Sequence, residues 1–403
     1  MPPQTPIVVL EVGTTRTVCM AGMIDDEDSL VMTGFGTSAT TGVRKGEITE
    51  LQYAVSSIRS AVEAASKEAR CDIRSACLIY SGGSTESTHS HGRVTLDPRH
   101  QVIDSEIMAE ARDIARDCTL PPDTKRLHSI VSNYIIDDTR VVHNPEGLTA
   151  NQLQANMLSI HTSISGLTAM SNAVQEAQIE IMNCKFGALC AGAGVLTAEQ
   201  KKAGVLLVDL GGGTTSYLAY ADESYAAAGS FAVGGDHVTN DIALGFHLAS
   251  VKTAEWLKTS SSSAILDNVT PTERGTIPAH ATLGAPERSY NLRSLHTIVN
   301  ARLEETFKIL RTIMDNHNIL SKFGAGVVLT GGGAYQNGVV QLVERIFQCP
   351  CIIGEVDDPK LAELQQPAAF ATAYGALRLA ALDEMRKGRE RPSWFSRIFN
   401  KGL

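Results

Sequence analysis

The chain has 403 residues, 43% hydrophobic and 20% charged, enough for two or three domains around a sizeable core. A net charge of −9 argues against a nucleic-acid partner. No window approaches the roughly 18–20 apolar residues of a membrane span, no signal peptide is apparent, and eight scattered cysteines without zinc-type spacing read as reduced and cytosolic.

In chain order, Ile7 to Thr15 (IVVLEVGTT) predicts a buried strand, then the acid Glu11, then a turn of Gly13, Thr14 and Thr15 followed by Arg16. Ala76 to Ser84 (ACLIYSGGS) predicts a second apolar strand that ends in glycines. His89-Ser90-His91 lacks further ligands at metal spacing and reads as loop. A helical pattern follows over Asp104 to Asp117, then an alternating run, His128 to Asp137. Leu206 to Thr215 (LLVDLGGGTT) repeats the opening pattern, with Asp209 as the acid and Gly211, Gly212, Gly213, Thr214 and Thr215 as the turn. Glu255 and Lys258 sit three apart in a helical stretch, Ala254 to Lys258, a spacing that suits an ion pair. Thr259 to Ala264 and the stretch 271–286 read as loops, and Leu295 to Met314 as a packing helix. Gly326 to Ala334 (GVVLTGGGA) is a further strand ending in Gly331, Gly332 and Gly333. Cys349-Pro350-Cys351 marks a strand edge.

The pattern of strand, acid and glycine turn, then strand and Gly-Gly, thus occurs twice, about 200 residues apart, and implies an internal duplication. Glycines let backbone N–H groups approach a phosphate, threonine hydroxyls add donors, and an acid at the strand end suits a hydrated Mg²⁺. Two such turns facing each other would clamp a nucleotide between two domains.

This constellation resembles the superfamily of actin, heat-shock chaperones and sugar kinases. Glu11 to Thr15 and Asp209 to Thr215 match its two phosphate motifs, and Leu329 to Gly333 its adenosine motif. Ala254 to Lys258 is similar to its A-E-x-x-K helix, which implies Glu255 at the ribose and Lys258 beside the adenine. Within the superfamily the chain resembles the bacterial FtsA family of cell-division proteins. The resemblance rests on Thr41 to Ile48, Asn144 to Leu148, Ala191 to Thr197, and most closely Val233 to Ala243, which includes Gly235.

The resemblance implies an α/β, actin-like fold of two duplicated domains, each a mixed sheet flanked by helices. It also implies an FtsA-type inserted subdomain and a C-terminal amphipathic helix. The expected division is subdomain 1A over 1–84, 162–202 and 366–384, inserted subdomain 1C over 85–161, 2A over 203–243 and 295–365, and 2B over 244–294. A linker would cover 385–392 and the amphipathic helix 393–403. It further implies ATP and Mg²⁺ as ligands, the metal held through water by Glu11 and Asp209. Lys185-Phe186-Gly187-Ala188 stands where related ATPases position the attacking water, with no Glu, Gln or Pro, which implies at most slow hydrolysis. Implied partners are the C-terminal tail of the tubulin-like FtsZ, other copies of the chain head to tail, and other division proteins.

The last eleven residues, SWFSRIFNKGL, fit a peripheral membrane anchor. At helical spacing Trp394, Phe395, Ile398, Phe399 and Leu403 share one side, with Arg397 and Lys401 on the other. From Met385 onward six cations face one Glu390, a balance of +5, so the rest carries −14. A basic tail on an acidic body suits anionic lipid and places the protein at the cytoplasmic membrane face. Two alternatives share the fold: a PilM-like pilus platform adaptor, which needs no such tail, and a small-molecule kinase, which needs a catalytic base that the first phosphate turn lacks.

Overall fold

The computed structural model describes residues 6–98, 101–267, 269–278 and 287–390, the last four by backbone alone. Trp394, Phe395, Arg397, Ile398, Phe399 and Lys401 of the expected anchor lie outside the described residues.

The first half opens with a meander in which β1 (Ile7–Val12), β2 (Arg16–Ile24) and β3 (Leu30–Ala39) pair antiparallel. A small hairpin, β4 (Val43–Arg44) and β5 (Glu47–Ile48), precedes α1 (Leu51–Ala69). Helix α1 forms because Ala54, Val55, Ile58, Ala61, Val62 and Ala65 recur at helical spacing and bury one face, and it stops where Arg70 turns left-handed. Then β6 (Ser75–Tyr80) lies parallel to β1.

The chain now leaves this sheet for β7 (Glu86–Thr95), α2 (Ser105–Arg116), β8 (Thr124–Ile136), β9 (Arg140–Val142) and β10 (Gln152–Ser163). These strands make an antiparallel sheet of order β7-β10-β8-β9, with a core of its own around Ile103, Ala111, Tyr134 and Leu153. Asp104 caps α2 by accepting from the Glu106 and Ile107 amides. His89 and His91, expected in a loop, lie inside β7, because the whole run Glu86–Thr95 pairs with β10.

Helix α3 (Ile164–Glu176) returns the chain to the first sheet, where β11 (Glu180–Phe186) joins parallel to β6, followed by α4 (Gly187–Val195) and α5 (Ala198–Ala203). The second half repeats the plan with β12 (Val205–Leu210), β13 (Thr215–Ala221) and β14 (Ser224–Phe231). Next come α6 (Gly235–Gly245), α7 (Val251–Ser261), the hairpin β15 (Arg274–Ile277) and β16 (Arg288–Asn291), and the long α8 (Leu292–Asn316). The two stretches read as loops differ in part. Thr259 to Ser261 continue α7, and Arg274–Ile277 finds a partner strand. The half closes with β17 (Val327–Thr330), α9 (Val339–Phe347), β18 (Cys351–Ile353) and the short α10 (Pro359–Ala362).

The sheets have identical order, β3-β2-β1-β6-β11 and β14-β13-β12-β17-β18, with the central pair parallel in each. Duplication in sequence is therefore duplication in topology. Helix α11 (Ala371–Glu390) carries the chain back across to the first half, where Ala373, Ala376 and Leu377 share a core with Val9, Met20 and Ile79. It continues through 385–390, most of the segment read as linker, since no glycine-rich or proline break interrupts it before Pro392. Close approach of α11 to α4 requires Gly375, where any Cβ would collide with the Cys190 carbonyl.

Candidate functional site

Between the halves lies a cleft of about 360 Å³. Its walls hold Glu11, Gly13, Thr14, Thr15 and Arg16 from the first half, and Asp209, Gly211, Gly212, Gly213, Thr214, Gly235, Glu255, Lys258, Gly331, Gly332 and Gly333 from the second. Residues expected to cooperate from three distant sequence regions thus converge on one space. Thr215 does not join them. It begins β13, is fully buried, and its hydroxyl donates to the Val233 carbonyl at 2.7 Å, because adjacent strand residues point to opposite faces.

Each turn is closed the same way. The Gly13 amide donates to the Arg16 carbonyl at 3.0 Å, and the Gly211 amide donates to the Thr214 carbonyl at 3.0 Å. The turns also face each other at contact distance, since a Cβ on Gly212 would collide with the Thr15 methyl and one on Gly213 with Thr14 Oγ1. The β4–β5 hairpin braces them. Gly46, with φ +75°, donates its amide to Thr14 Oγ1 at 3.0 Å. Behind the second turn, the Gly235 and Asp236 amides donate to the Gly211 and Gly212 carbonyls at 2.9 and 2.8 Å, so the start of α6 holds the turn in place.

Glu11 and Asp209 stand at the floor. Burial and repulsion from Asp209 push the Glu11 carboxyl up to about 8, against the pull of Arg16. Burial also raises Asp209, opposed by the Thr372 and Thr330 hydroxyls, which lie 3.3 and 3.4 Å from its two oxygens. Arg16 reaches across to the Ala369 carbonyl at 2.8 Å, its guanidinium 4.2 Å above the Phe370 ring. Two buried carboxyl groups whose ionisation burial opposes, with Asp209 adding repulsion at Glu11, form an environment that a divalent cation relieves. Among the described residues no three His, Cys, Asp or Glu side chains gather to ligate a metal directly, so the donor set fits a hydrated ion rather than a bare one.

On the second half, Lys258 pairs with Glu255 at 2.6 Å and donates to Thr239 Oγ1 at 2.8 Å and the Gly235 carbonyl at 3.2 Å. Lys185 pairs with Asp383 at 2.7 Å and does not line the cleft. Sequence reasoning missed Thr330, Thr372 and Asp236. Asp236 lies within the Val233 to Ala243 motif and Thr330 within the Leu329 to Gly333 motif, whereas Thr372 lies in neither.

Two like-folded halves that close opposed glycine–threonine turns over a shared cleft define an actin-like protein. Solved structures agree on the fold. The PilM-PilN type IV pilus biogenesis complex matches with TM-score 0.61 at 15% identity, covering 94% of this chain and 99% of that one. MreB5 of Spiroplasma citri bound to ADP matches with TM-score 0.55 at 14% identity, covering 97% and 100%. At such identities the likeness is one of fold alone. Family models narrow the class: that of cell division protein FtsA matches residues 206–375, and that of the SHS2 domain inserted in FtsA matches 82–161. Cell division protein FtsA of Borreliella burgdorferi is 31% identical, covering 86% of this chain and 84% of that protein. Its counterpart in Pseudomonas aeruginosa is 28% identical over 92% and 88%. The chain belongs to the FtsA family of actin-like cell-division proteins.

Proposed function

We propose that the cleft binds ATP with a hydrated Mg²⁺ and that nucleotide-biased closure of the two halves favours head-to-tail assembly. The assembled polymer then holds the FtsZ C-terminal tail, and through it the division ring, at the cytoplasmic membrane. One observation carries this reading: the two glycine–threonine turns, one from each half, stand in van der Waals contact across the cleft. A ligand gripped by both must therefore bridge the domains.

In this reading, the amides and hydroxyls of Gly13 to Thr15 and Gly211 to Thr214 bind the phosphates. Glu11 and Asp209 orient the waters of the metal, which supplies positive charge against the phosphate oxygens. Thr330 and Thr372 hold the Asp209 carboxylate for that task. The Glu255–Lys258 pair, with Gly331 to Gly333, receives the nucleoside. Subdomain 2B takes the FtsZ tail, and the inserted subdomain meets neighbouring copies and other division proteins.

The tail supplies the membrane contact. A helix of eleven residues spans roughly 16 Å. Each half-inserted large side chain contributes about 1 kcal/mol, and each nearby cation about the same. One such helix binds reversibly, whereas many on one polymer bind tightly because every later contact is intramolecular. The test is co-sedimentation of the full chain with anionic liposomes, with and without ATP·Mg²⁺. Pelleting that strengthens with nucleotide is expected. Protein that stays in the supernatant under both conditions refutes the tethering role.

A further inference from the structure

We propose that the Ser81 hydroxyl binds the terminal phosphate and lets the cleft distinguish a nucleoside triphosphate from a diphosphate. This rests on the nucleotide reading of the cleft. Ser81 follows β6 and lines the cleft, yet its Oγ is buried and has no hydrogen-bond partner among the described residues. A buried hydroxyl without a partner is costly, and such groups are retained where a ligand satisfies them.

The surroundings hold that hydroxyl in place. A Cβ on Gly187, the first residue of α4, would collide with Ser81 Oγ, so only glycine there leaves it room. A Cβ on Gly46 would lie 3.0 Å from the Ser81 carbonyl, and the Gly46 amide donates to Thr14 Oγ1. Thr14 in turn abuts Gly213. Ser81 therefore stands where the two turns and the β4–β5 hairpin converge.

The duplication shows which end of a nucleotide belongs there. Ser81 and Gly332 are equivalent positions, each two residues past the one that pairs with the floor acid, Ile79 with Glu11 and Thr330 with Asp209. Around them the halves differ. A Cβ on Gly82 would run into the Tyr80 ring and one on Gly83 would lie 2.7 Å from Ala232, so the first half is filled. A Cβ on Gly332 would meet none of the other described residues within 4 Å. A base and ribose need the open volume beside Gly332. The anionic end is then directed to the filled side, where a hydroxyl donor is the complementary group. An O–H donating to a phosphate oxygen is charge-assisted and among the stronger hydrogen bonds of a site.

The experiment measures affinity of the full chain for ATP and for ADP, both with Mg²⁺, in wild type and Ser81→Ala. Loss of roughly tenfold or more for ATP, with ADP held within about twofold, is expected. Equal loss for both nucleotides, or no loss for either, overturns the assignment while leaving nucleotide binding intact. A wild type that binds neither overturns the nucleotide reading itself and this inference with it. Thermal denaturation without nucleotide guards against misfolding. Removing an unpartnered buried hydroxyl leaves the midpoint unchanged or raised, and only the stabilisation by ATP shrinks.

Discussion

Thr14 and Gly213 meet across the cleft: Thr14 Oγ1 occupies the space into which any Cβ on Gly213 would point. The two halves touch at this point through a glycine that has no side chain to spare. Gly213→Val therefore wedges the turns apart. Overpacking of this kind costs about 1–3 kcal/mol. Calorimetric titration is expected to show nucleotide affinity falling by more than about tenfold, with the circular dichroism spectrum retained. Affinity equal to wild type would show that the turns do not act together.

Asp209 is held by Thr330 and Thr372 and opposes Glu11. Asp209→Asn removes one of the two floor carboxyl groups whose charged forms a hydrated divalent ion would favour. Wild-type affinity for ATP is expected to strengthen with Mg²⁺, and the variant to lose most of that dependence. An unchanged Mg²⁺ titration curve in the variant would remove the floor carboxylates from any metal role.

His128 is a neutral acceptor in the fold. The Phe186 amide donates to its Nε2 at 2.8 Å, and burial, with Lys185 nearby, lowers its pKa from 6.5 to about 4. The unfolded chain then binds the extra proton first as pH falls. Stability from this group is complete above pH 6.5 and is lost as pH falls toward 4. Its size is on the order of 3 kcal/mol. Denaturant midpoints measured between these pH values are expected to decline less steeply in His128→Gln than in wild type. Parallel slopes would mean that His128 titrates normally.

Gly375 lets α11 lie against α4. Gly375→Ala pushes a methyl group into the Cys190 carbonyl and is expected to lower stability by about 2 kcal/mol. Gly332→Ala, whose Cβ would meet none of the other described residues within 4 Å, serves as the matched control and leaves the midpoint unchanged. Equal midpoints for the two variants would show that the helices separate without cost.

The tail is tested by removing it. Truncation after Pro392 and the substitution Trp394→Glu are each expected to abolish pelleting with anionic liposomes while leaving nucleotide affinity at the wild-type value. Retained pelleting in the truncation would place the lipid contact on the body of the protein.

Reading the chain residue by residue brought out the repeated turns, the acids before them, the strand at Ala76 to Ser84 and the Glu255–Lys258 pair. Each is a local pattern whose chemistry is carried within a few residues. Glu86–Thr95 carries a single apolar side chain, Val94, so no hydrophobic alternation marks β7 and the His-Ser-His run reads as loop until its pairing with β10 is seen. Spacing alone groups Thr215 with the turn, because it does not say where a turn ends and a strand, with its alternating faces, begins.

What the tertiary structure decided are the relations between distant residues. Thr330 and Thr372 reach Asp209 across 121 and 163 positions; the Leu329 to Gly333 motif contains Thr330 without marking a contact to Asp209, and no motif contains Thr372. Gly82 and Gly332 look alike in sequence, yet one is filled by Tyr80 and the other opens on empty space. The duplication was determined by sequence because backbone glycine and strand hydrophobicity are local requirements. The asymmetry between the halves emerged only on folding, because the space around a residue depends on what the remainder of the chain packs against it.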